Sequence, residues 1–502
     1  MNELLTPEEM AEADRLAALS LGESYRLMLN AGQTLAHHIL SRYADAAGFD
    51  ILCGPGNNGG DGYVLASLLH EHGCRVRVWR QVRPAPGTDA VRAAAECPVE
   101  KHDLAAFEPA PGFIVVDALF GAGLGRALEG AYAEAVRRCA LAKARVVAVD
   151  LPSGVSGRTG EVLGGIAAPA ELTVTFFRKK PGHLLFPGRH YCGEVVVTDI
   201  GIRDEVLGSI GVRCRENHPA QWSHLLPRPS FDSHKYRRGH VGVLSGGMSS
   251  TGAARLSAMA AARIGAGAVT VLSPADALPV NAAHLTSIMV RRVETRGDLM
   301  AFLEQRGANA FVLGPGFGVG RRVKEVAETL LQYEDGSGHR PKVVLDADAI
   351  TAFAAEPDRL FAATARSPGQ AVLTPHEGEF ARLFPDLARD GSLSKVERAR
   401  LAAARGNAVV VLKGADTVVA DMGGATVINS NATPYLATAG SGDVLAGIIA
   451  GLMAQGMEPF AAGCAGVHMH AEAGASFGPG LIAEDLPSRL PAVLARYVGG
   501  KN

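Results

Sequence analysis

The feature that most constrains this chain is a recurring unit: a short run of β-branched and apolar residues, a glycine-bearing polar loop, then a helical pattern. In the first half, Ile51-Leu52-Cys53 precedes Gly54-Pro55-Gly56-Asn57-Asn58-Gly59-Gly60-Asp61-Gly62, and a helix is expected from about Tyr63 to Leu69. Val115-Val116-Asp117 opens into Ala118 to Arg126, and Val146 to Val149 ends at Asp150-Leu151-Pro152-Ser153-Gly154. Leu172 to Phe177 leads to Arg178-Lys179-Lys180-Pro181-Gly182. Strands that run into such loops and on into helices predict an open parallel sheet with its pocket at the carboxyl edge. The 54–62 loop is rich in residues that tolerate left-handed backbone, but it lacks the spacing of a dinucleotide fingerprint. Asn58, Asp117 and Ser153 are hard oxygen ligands that could jointly hold an alkali or alkaline-earth cation. Asp150 is then the carboxylate left free for acid–base work.

The same unit recurs after residue 240. Strands are expected at His240 to Leu244, Ala268 to Leu272, Phe311 to Leu313, Val343 to Leu345, Ala371 to Leu373 and Val409 to Leu412. Their loops carry Gly314-Pro315-Gly316, Asp346-Ala347-Asp348-Ala349, Thr374-Pro375-His376-Glu377-Gly378-Glu379 and Lys413-Gly414-Ala415-Asp416-Thr417. A further turn, Ala439-Gly440-Ser441-Gly442-Asp443, runs into a small-residue helix expected from Val444. Glycines there let amides approach a phosphate, and the helix N-terminus adds donors. A carboxylate inside that nest suits a group that handles a proton during phosphoryl transfer; the plainer reading makes Asp443 a helix cap. No Walker-type loop is present. His468 and His470 are two apart and share no helix face, so they are read as packing or surface residues.

A chain of 502 residues implies two or three domains. Between 203 and about 237 the periodicity is lost among Arg and Pro residues, which places the interdomain connection there with its boundary near Leu226. With 49 basic against 51 acidic residues, nucleic acid is not an expected partner. Seven scattered cysteines, none at metal or redox spacing, fit a reducing compartment. Five acidic residues precede the first Arg, so the N-terminus does not read as a signal peptide. No run approaches the ~20 apolar residues of a membrane span. A soluble, cytoplasmic protein without a membrane partner is expected.

Taken together, these motifs make the chain resemble the bifunctional NAD(P)H-hydrate repair enzymes. In that family an N-terminal hydrate epimerase is fused to a C-terminal ADP-dependent hydrate dehydratase of the ribokinase-like superfamily. The resemblance runs from Met28-Leu29-Asn30-Ala31-Gly32 to Leu486. It implies an α/β protein: a Rossmann-like three-layer α/β/α epimerase domain over 1–222, and a ribokinase-like α/β dehydratase domain over 226–502. By the same resemblance, Asn58, Asp117 and Ser153 fall where the family binds potassium. Asn57, Asn58, Gly59, Gly60 and Asp61 fall where it contacts the hydrate for epimerisation. So do Gly121, Ala122, Gly123, Leu124, Gly125, Arg126, Ala127 and Asp150. In the second half, Ala254, Gly316, His376 and Asp443 match hydrate-contacting positions. Lys413, Gly414, Ala415, Asp416, Thr417 and Gly442 match the nucleotide site. Asp150 and Asp443 are the expected catalytic residues. ADP is implied as co-substrate, with magnesium accompanying it, and a homo-oligomer is expected. Asn30 stands where the family usually has glutamate. Ala439 replaces a glycine and Ser441 a threonine of the usual turn. The competing reading is a ribokinase-like small-molecule kinase fused to a cofactor-binding domain. In it Asp443 would activate an acceptor hydroxyl and the phosphate would stay on the product.

Overall fold

A computed structural model describes residues 2–231, 235 and 237–498. Asp232, Ser233, His234 and Tyr236, in the run expected to close the interdomain connection, lie outside the described residues. The chain forms two compact units, Met1–Cys214 and Arg215–Asn502.

The first unit opens with two helices, α1 (Pro7–Leu21) and α2 (Tyr25–Arg42). Thr6 and Glu9 cap α1 reciprocally, each side chain taking the other's amide, and Gly22 at φ 85° ends it. Seven parallel strands follow: β1 (Gly48–Cys53), β2 (Val76–Arg80), β3 (Lys101–Asp103), β4 (Phe113–Ala118), β5 (Arg145–Val149), β6 (Leu172–Phe176) and β7 (Glu194–Thr198). Their order is 3-2-1-4-5-6-7. The order reverses between β1 and β4, and that reversal opens a crevice beyond their carboxyl ends. β1 and β4 are buried along their whole length, the pattern of a sheet covered on both faces.

The glycine-rich segment after β1 differs from its expected form. Helix α3 (Asn57–Glu71) begins at Asn57, so the glycines lie in its first turns and not in a left-handed loop. Close approach is what requires them. A Cβ on Gly59 would overlap the Gly54 carbonyl, one on Gly60 would overlap the Met28 thioether, and one on Gly62 would lie 2.8 Å from Ala118. The motif therefore presses the start of α3 against β1, β4 and α2.

The second unit is built on ten strands in the order β11-β10-β9-β12-β13-β14-β15-β16-β17-β8. These are β8 (Cys214–Glu216), β9 (His240–Leu244), β10 (Ala268–Ser273), β11 (Met289–Arg292), β12 (Ala310–Leu313) and β13 (Lys342–Leu345). β14 (Ala371–Leu373), β15 (Val409–Leu412), β16 (Val418–Ala420) and β17 (Thr426–Ile428) complete the sheet. β9 to β15 pair in parallel, and β16 and β17 then turn back antiparallel. The helix Ser441–Ala454 is apolar nearly all round and buried, as a central helix must be.

The division between the units lies upstream of the expected boundary near Leu226, because 215–226 is part of the second unit's core. The Asn217 amide nitrogen donates to the Ile428 carbonyl (2.8 Å), and its side chain bonds Asn429 and the Cys464 carbonyl. Trp222, 1% exposed, donates to Asn217 and packs against His468 and Tyr497. The 203–237 stretch also holds a helix, Glu205–Ile210, and β8, elements too short to show a period. A fragment starting at Arg215 is therefore expected to unfold at a clearly higher temperature than one starting at Arg228. Loss of a buried Trp alone is worth about 3–5 kcal/mol. Equal midpoints in a thermal scan would show that 215–227 contributes nothing.

Candidate functional site

Each unit gathers its polar motif residues at the carboxyl edge of its own sheet. In the first, a cavity of about 1200 Å³ is walled by α1, α2, the start of α3 and the loops after β4, β5 and β6. Asn57, Asn58 and Asp61 line it, as do Gly121, Ala122, Gly123, Leu124, Gly125, Arg126 and Asp150. Gly59, Gly60 and Ala127 are not among its walls; the two glycines serve the packing of α3. A Cβ on Gly121 would lie 2.8 Å from Asp150 Oδ2 and 3.0 Å from Asn58 Oδ1, so the glycine lets these two groups approach one point.

Asp150 sits at φ 63°, a strained conformation for a non-glycine residue and one that recurs at functional sites. The expectation that it is a free carboxylate is corrected by its contacts. Oδ1 accepts from Lys180 Nζ (2.6 Å) and Thr175 Oγ1 (2.8 Å), while Oδ2 accepts from the Ala122 amide (2.9 Å). Burial alone would push its pKa up. The Lys180 ammonium, with His183 and these hydrogen bonds, more than reverses that and holds it at about 2. His183 Nε2 bonds the Asp150 carbonyl (2.7 Å), and burial together with Lys180 lowers the imidazole to about 4. Lys180 was hidden among three consecutive basic residues. Arg178 turns instead to Glu3 and Asp204, and Lys180, 1% exposed, turns to Asp150.

Asp117 and Ser153 lie behind the cavity wall. Ser153 Oγ donates to Asp117 Oδ1 (2.6 Å) and accepts from the Phe120 amide (2.9 Å), while the Ser153 amide bonds Asp117 Oδ2 (2.8 Å). Asn30 donates to the Ile200 carbonyl (2.8 Å), a contact a carboxylate could not make. Two further carboxyls reach the cavity, Asp61 from the motif and Asp14 from α1, which no motif singles out.

In the second unit Asp443 occupies the first turn of Ser441–Ala454, whose N-cap is Gly440 at φ 86°. The helix thus begins before Val444, and Asp443 is not its cap. Its backbone carbonyl accepts from Ser257 Oγ (2.7 Å). Burial, reinforced by Asp346 and Asp348 and opposed by Lys413, raises its carboxyl to about 6. Lys413 Nζ donates to Asp346 Oδ1 (2.7 Å), which also accepts from Thr374 Oγ1 (2.8 Å). A Cβ on Gly442 would lie 3.4 Å from Lys413 Nζ, so lysine, glycine turn and both aspartates share one neighbourhood. Ala347, between Asp346 and Asp348, sits at φ 46°. His376 caps the helix Glu377–Leu383 through Nδ1, and its backbone bridges to Lys413, bringing β14 and β15 loops together.

Not every expected residue faces outward. Asp416 is engaged by Lys395 Nζ (2.7 Å), and Thr417 Oγ1 closes back on the Gly414 carbonyl (2.9 Å), so their side chains shape the 413–417 loop. Ala254 is fully buried in the apolar core. Gly316, at φ 62°, packs over the Ser250 carbonyl. His470, read as packing, is buried and 3.2 Å from Ser441 Oγ at the foot of the turn. His468 packs against Trp222 and Tyr497.

A family model described as NAD(P)H-hydrate dehydratase matches residues 241–492, and one described as YjeF-related protein N-terminus matches 24–182. The bifunctional NAD(P)H-hydrate repair enzyme Nnr of Coxiella burnetii is 34% identical across 97% of this chain and 98% of its own length. The chain belongs to the bifunctional NAD(P)H-hydrate repair enzyme family. The Escherichia coli K12 family member is 33% identical across 99% of this chain and 94% of its own. Among solved structures, the ADP/ATP-dependent NAD(P)H-hydrate dehydratase of Bacillus subtilis, co-crystallized with ATP/Mg2+, aligns at TM-score 0.47 and 24% identity. That alignment covers 56% of this chain and 98% of that one. The family match spans both units, so both edge sites belong to the family's fold. No helix among the described residues is long and apolar enough to cross a membrane.

Proposed function

We propose that the chain repairs hydrated nicotinamide cofactors at two sites. The first unit interconverts (R)- and (S)-NAD(P)H hydrate, and the second dehydrates the S form with ADP, releasing AMP and phosphate. One observation carries this reading: a family relationship that runs across both units of a chain whose units each keep their motif residues at one sheet edge.

Hydroxide is a poor leaving group, so the hydroxyl on nicotinamide C6 must be activated. In the second unit Asp443 takes the hydroxyl proton as oxygen attacks the terminal phosphoryl group of ADP, and AMP departs. A carboxyl raised to about 6 is matched to that task near neutral pH. Lys413 and the amides at Gly442 stabilise charge on the moving phosphoryl group. The C6–O bond then breaks with its electron pair on phosphate, the ring nitrogen supplies the balancing pair, and loss of a C5 proton restores the dihydronicotinamide. Magnesium would enter with the nucleotide phosphates. Asp346 Oδ2, which accepts no hydrogen bond among the described residues, fits a cation held mostly by phosphates and one carboxylate. When bound, it would neutralise phosphate charge.

The hard oxygens of Asn58, Asp117 and Ser153 carry one formal charge, which suits potassium. Asn58 Nδ2 is a buried amide nitrogen with no partner, and half a turn of that amide offers oxygen in its place. The cation would hold the 119–122 and 153 loops against the hydrate. The seven cysteines, mostly buried and in no disulfide among the described residues, fit a cytoplasmic setting.

The test is direct. Protein, ADP and (S)-NADH hydrate are expected to restore reduced-nicotinamide absorbance with one AMP and one phosphate per NADH. A stable phosphorylated product in place of free phosphate would establish the kinase reading instead.

A further inference from the structure

The first unit's cavity holds more acid–base chemistry than its motifs explain. Both oxygens of Asp150 are occupied by Lys180, Thr175 and the Ala122 amide. Asp14 and Asp61 face the same cavity, and neither accepts a hydrogen bond from any described residue. Asp61 is only 8% exposed, so a nearly buried carboxyl without a partner is directed at the cavity. Taking epimerisation at this site as given, we infer that Asp14 is the group that exchanges a proton with the C6 hydroxyl, and that Asp150 is a fixed anion beside it.

The division of labour follows from the contacts. A proton on Asp150 must compete with a lysine and two further donors, all of which favour the ionised form. Asp61, buried deepest, is held neutral far above the usual carboxylate range, with Asp150 and Asp14 adding to the effect of burial. It is suited to donate a hydrogen bond to bound substrate. Asp14 is half-buried on α1, so it meets the cavity yet can be reloaded from solvent. The groups facing it are Lys180, Asp150 and Asp61. Burial raises its carboxyl to about 6, Lys180 pulling down and Asp150 pushing up.

The step balances without a redox partner. Protonated Asp14 gives its proton to the C6 hydroxyl oxygen, the C6–O bond breaks, and water leaves with the electron pair. The N1 lone pair forms N1=C6, a cation that Asp150 and the now ionised Asp14 stabilise. Water then adds to the opposite face and gives its proton to solvent, from which Asp14 is reloaded, and the other epimer results.

The experiment measures initial rates of R-to-S exchange over a no-enzyme blank at each pH, in ¹⁸O water. Wild type is expected to incorporate ¹⁸O at the exchange rate, with kcat/KM falling as pH rises above about 6. Asp14→Asn should be slower by about 100-fold or more and lose that pH limb. Asp14→Glu, which keeps a carboxyl, should recover at least tenfold over Asp14→Asn and regain the limb. Exchange in Asp14→Asn within threefold of wild type would overturn the inference, as would Asp14→Glu no faster than Asp14→Asn. Exchange without ¹⁸O incorporation would overturn the water-loss step. A wild-type chain with no exchange at all would instead remove the epimerase reading on which this rests.

Discussion

Asp443→Asn is expected to slow ADP-dependent dehydration by about 10² to 10⁴-fold, the usual contribution of a positioned acid–base. The size of the effect follows from how little else the carboxylate does. Gly440, not Asp443, is the N-cap of Ser441–Ala454. The contact that ties Asp443 to the neighbouring helix is made by its backbone carbonyl, which the substitution keeps. Its side chain accepts no hydrogen bond among the described residues, so an isosteric amide leaves the turn intact and ADP affinity nearly unchanged. The pH profile separates a base from a bystander. Burial and the neighbouring aspartates raise the carboxyl to about 6, and the base must be ionised to act. Wild-type kcat/KM should therefore climb about tenfold per pH unit below 6 and level off above it, while the Asn variant should show no such limb. Turnover within a few-fold of wild type in Asp443→Asn, with the limb preserved, would move the proton transfer to another residue.

Much of this arrangement was legible in the sequence because open parallel sheets repeat one signal. Each buried strand is a short apolar run, and each functional loop follows it. That signal located β1, β4, β5 and β6, most strands of the second sheet, and the loops bearing Asp150, Lys413 and Asp443. It failed where the physics is not periodic. β8, β16 and β17 have three residues each and lead into no α-helix, the unit that marks β14 at the same length, and β11 is an exposed edge. Glycines in Gly59-Gly60-Asp61-Gly62 read as a loop because glycine tolerates left-handed backbone. Their true requirement, the absence of a Cβ against Gly54 and Met28, depends on residues distant in the chain. Charge pairing was the least visible feature. Nothing local distinguishes Lys180 from Lys179, or marks Asp14 among the acidic residues of α1; the fold alone brings them to Asp150. A sequence reading finds the carboxylate and misses the ammonium that decides what it can do.

Lys180→Met is expected to be the most damaging substitution in the first unit. The Lys180–Asp150 pair has side chains 1% and 16% exposed, and removing one partner strands the other's charge. Breaking a buried pair costs about 3–5 kcal/mol, more than a surface pair could. The effect carries a pH signature whose sign is fixed. Asp150 is held at about 2 in the folded chain, below the ordinary carboxylate value, so its stabilising contribution is present above that ordinary value and is lost as pH falls through about 2. Without the ammonium, burial dominates and the carboxyl moves upward, so the variant should lose stability as pH rises through the range where Asp150 must ionise. Epimerase turnover should fall by at least 100-fold, because Asp150 would no longer stay ionised and fixed beside the hydrate. Asp150→Asn alone leaves a buried ammonium and should also destabilise. The double variant Asp150→Asn/Lys180→Met should be less damaged than the sum of the two, since it buries no charge. Urea unfolding of the full chain, followed across pH 4 to 8, measures each corner of that cycle. Additive losses would mean that the two charges do not depend on one another, and Lys180 would then be a buried side chain with no hold on the site.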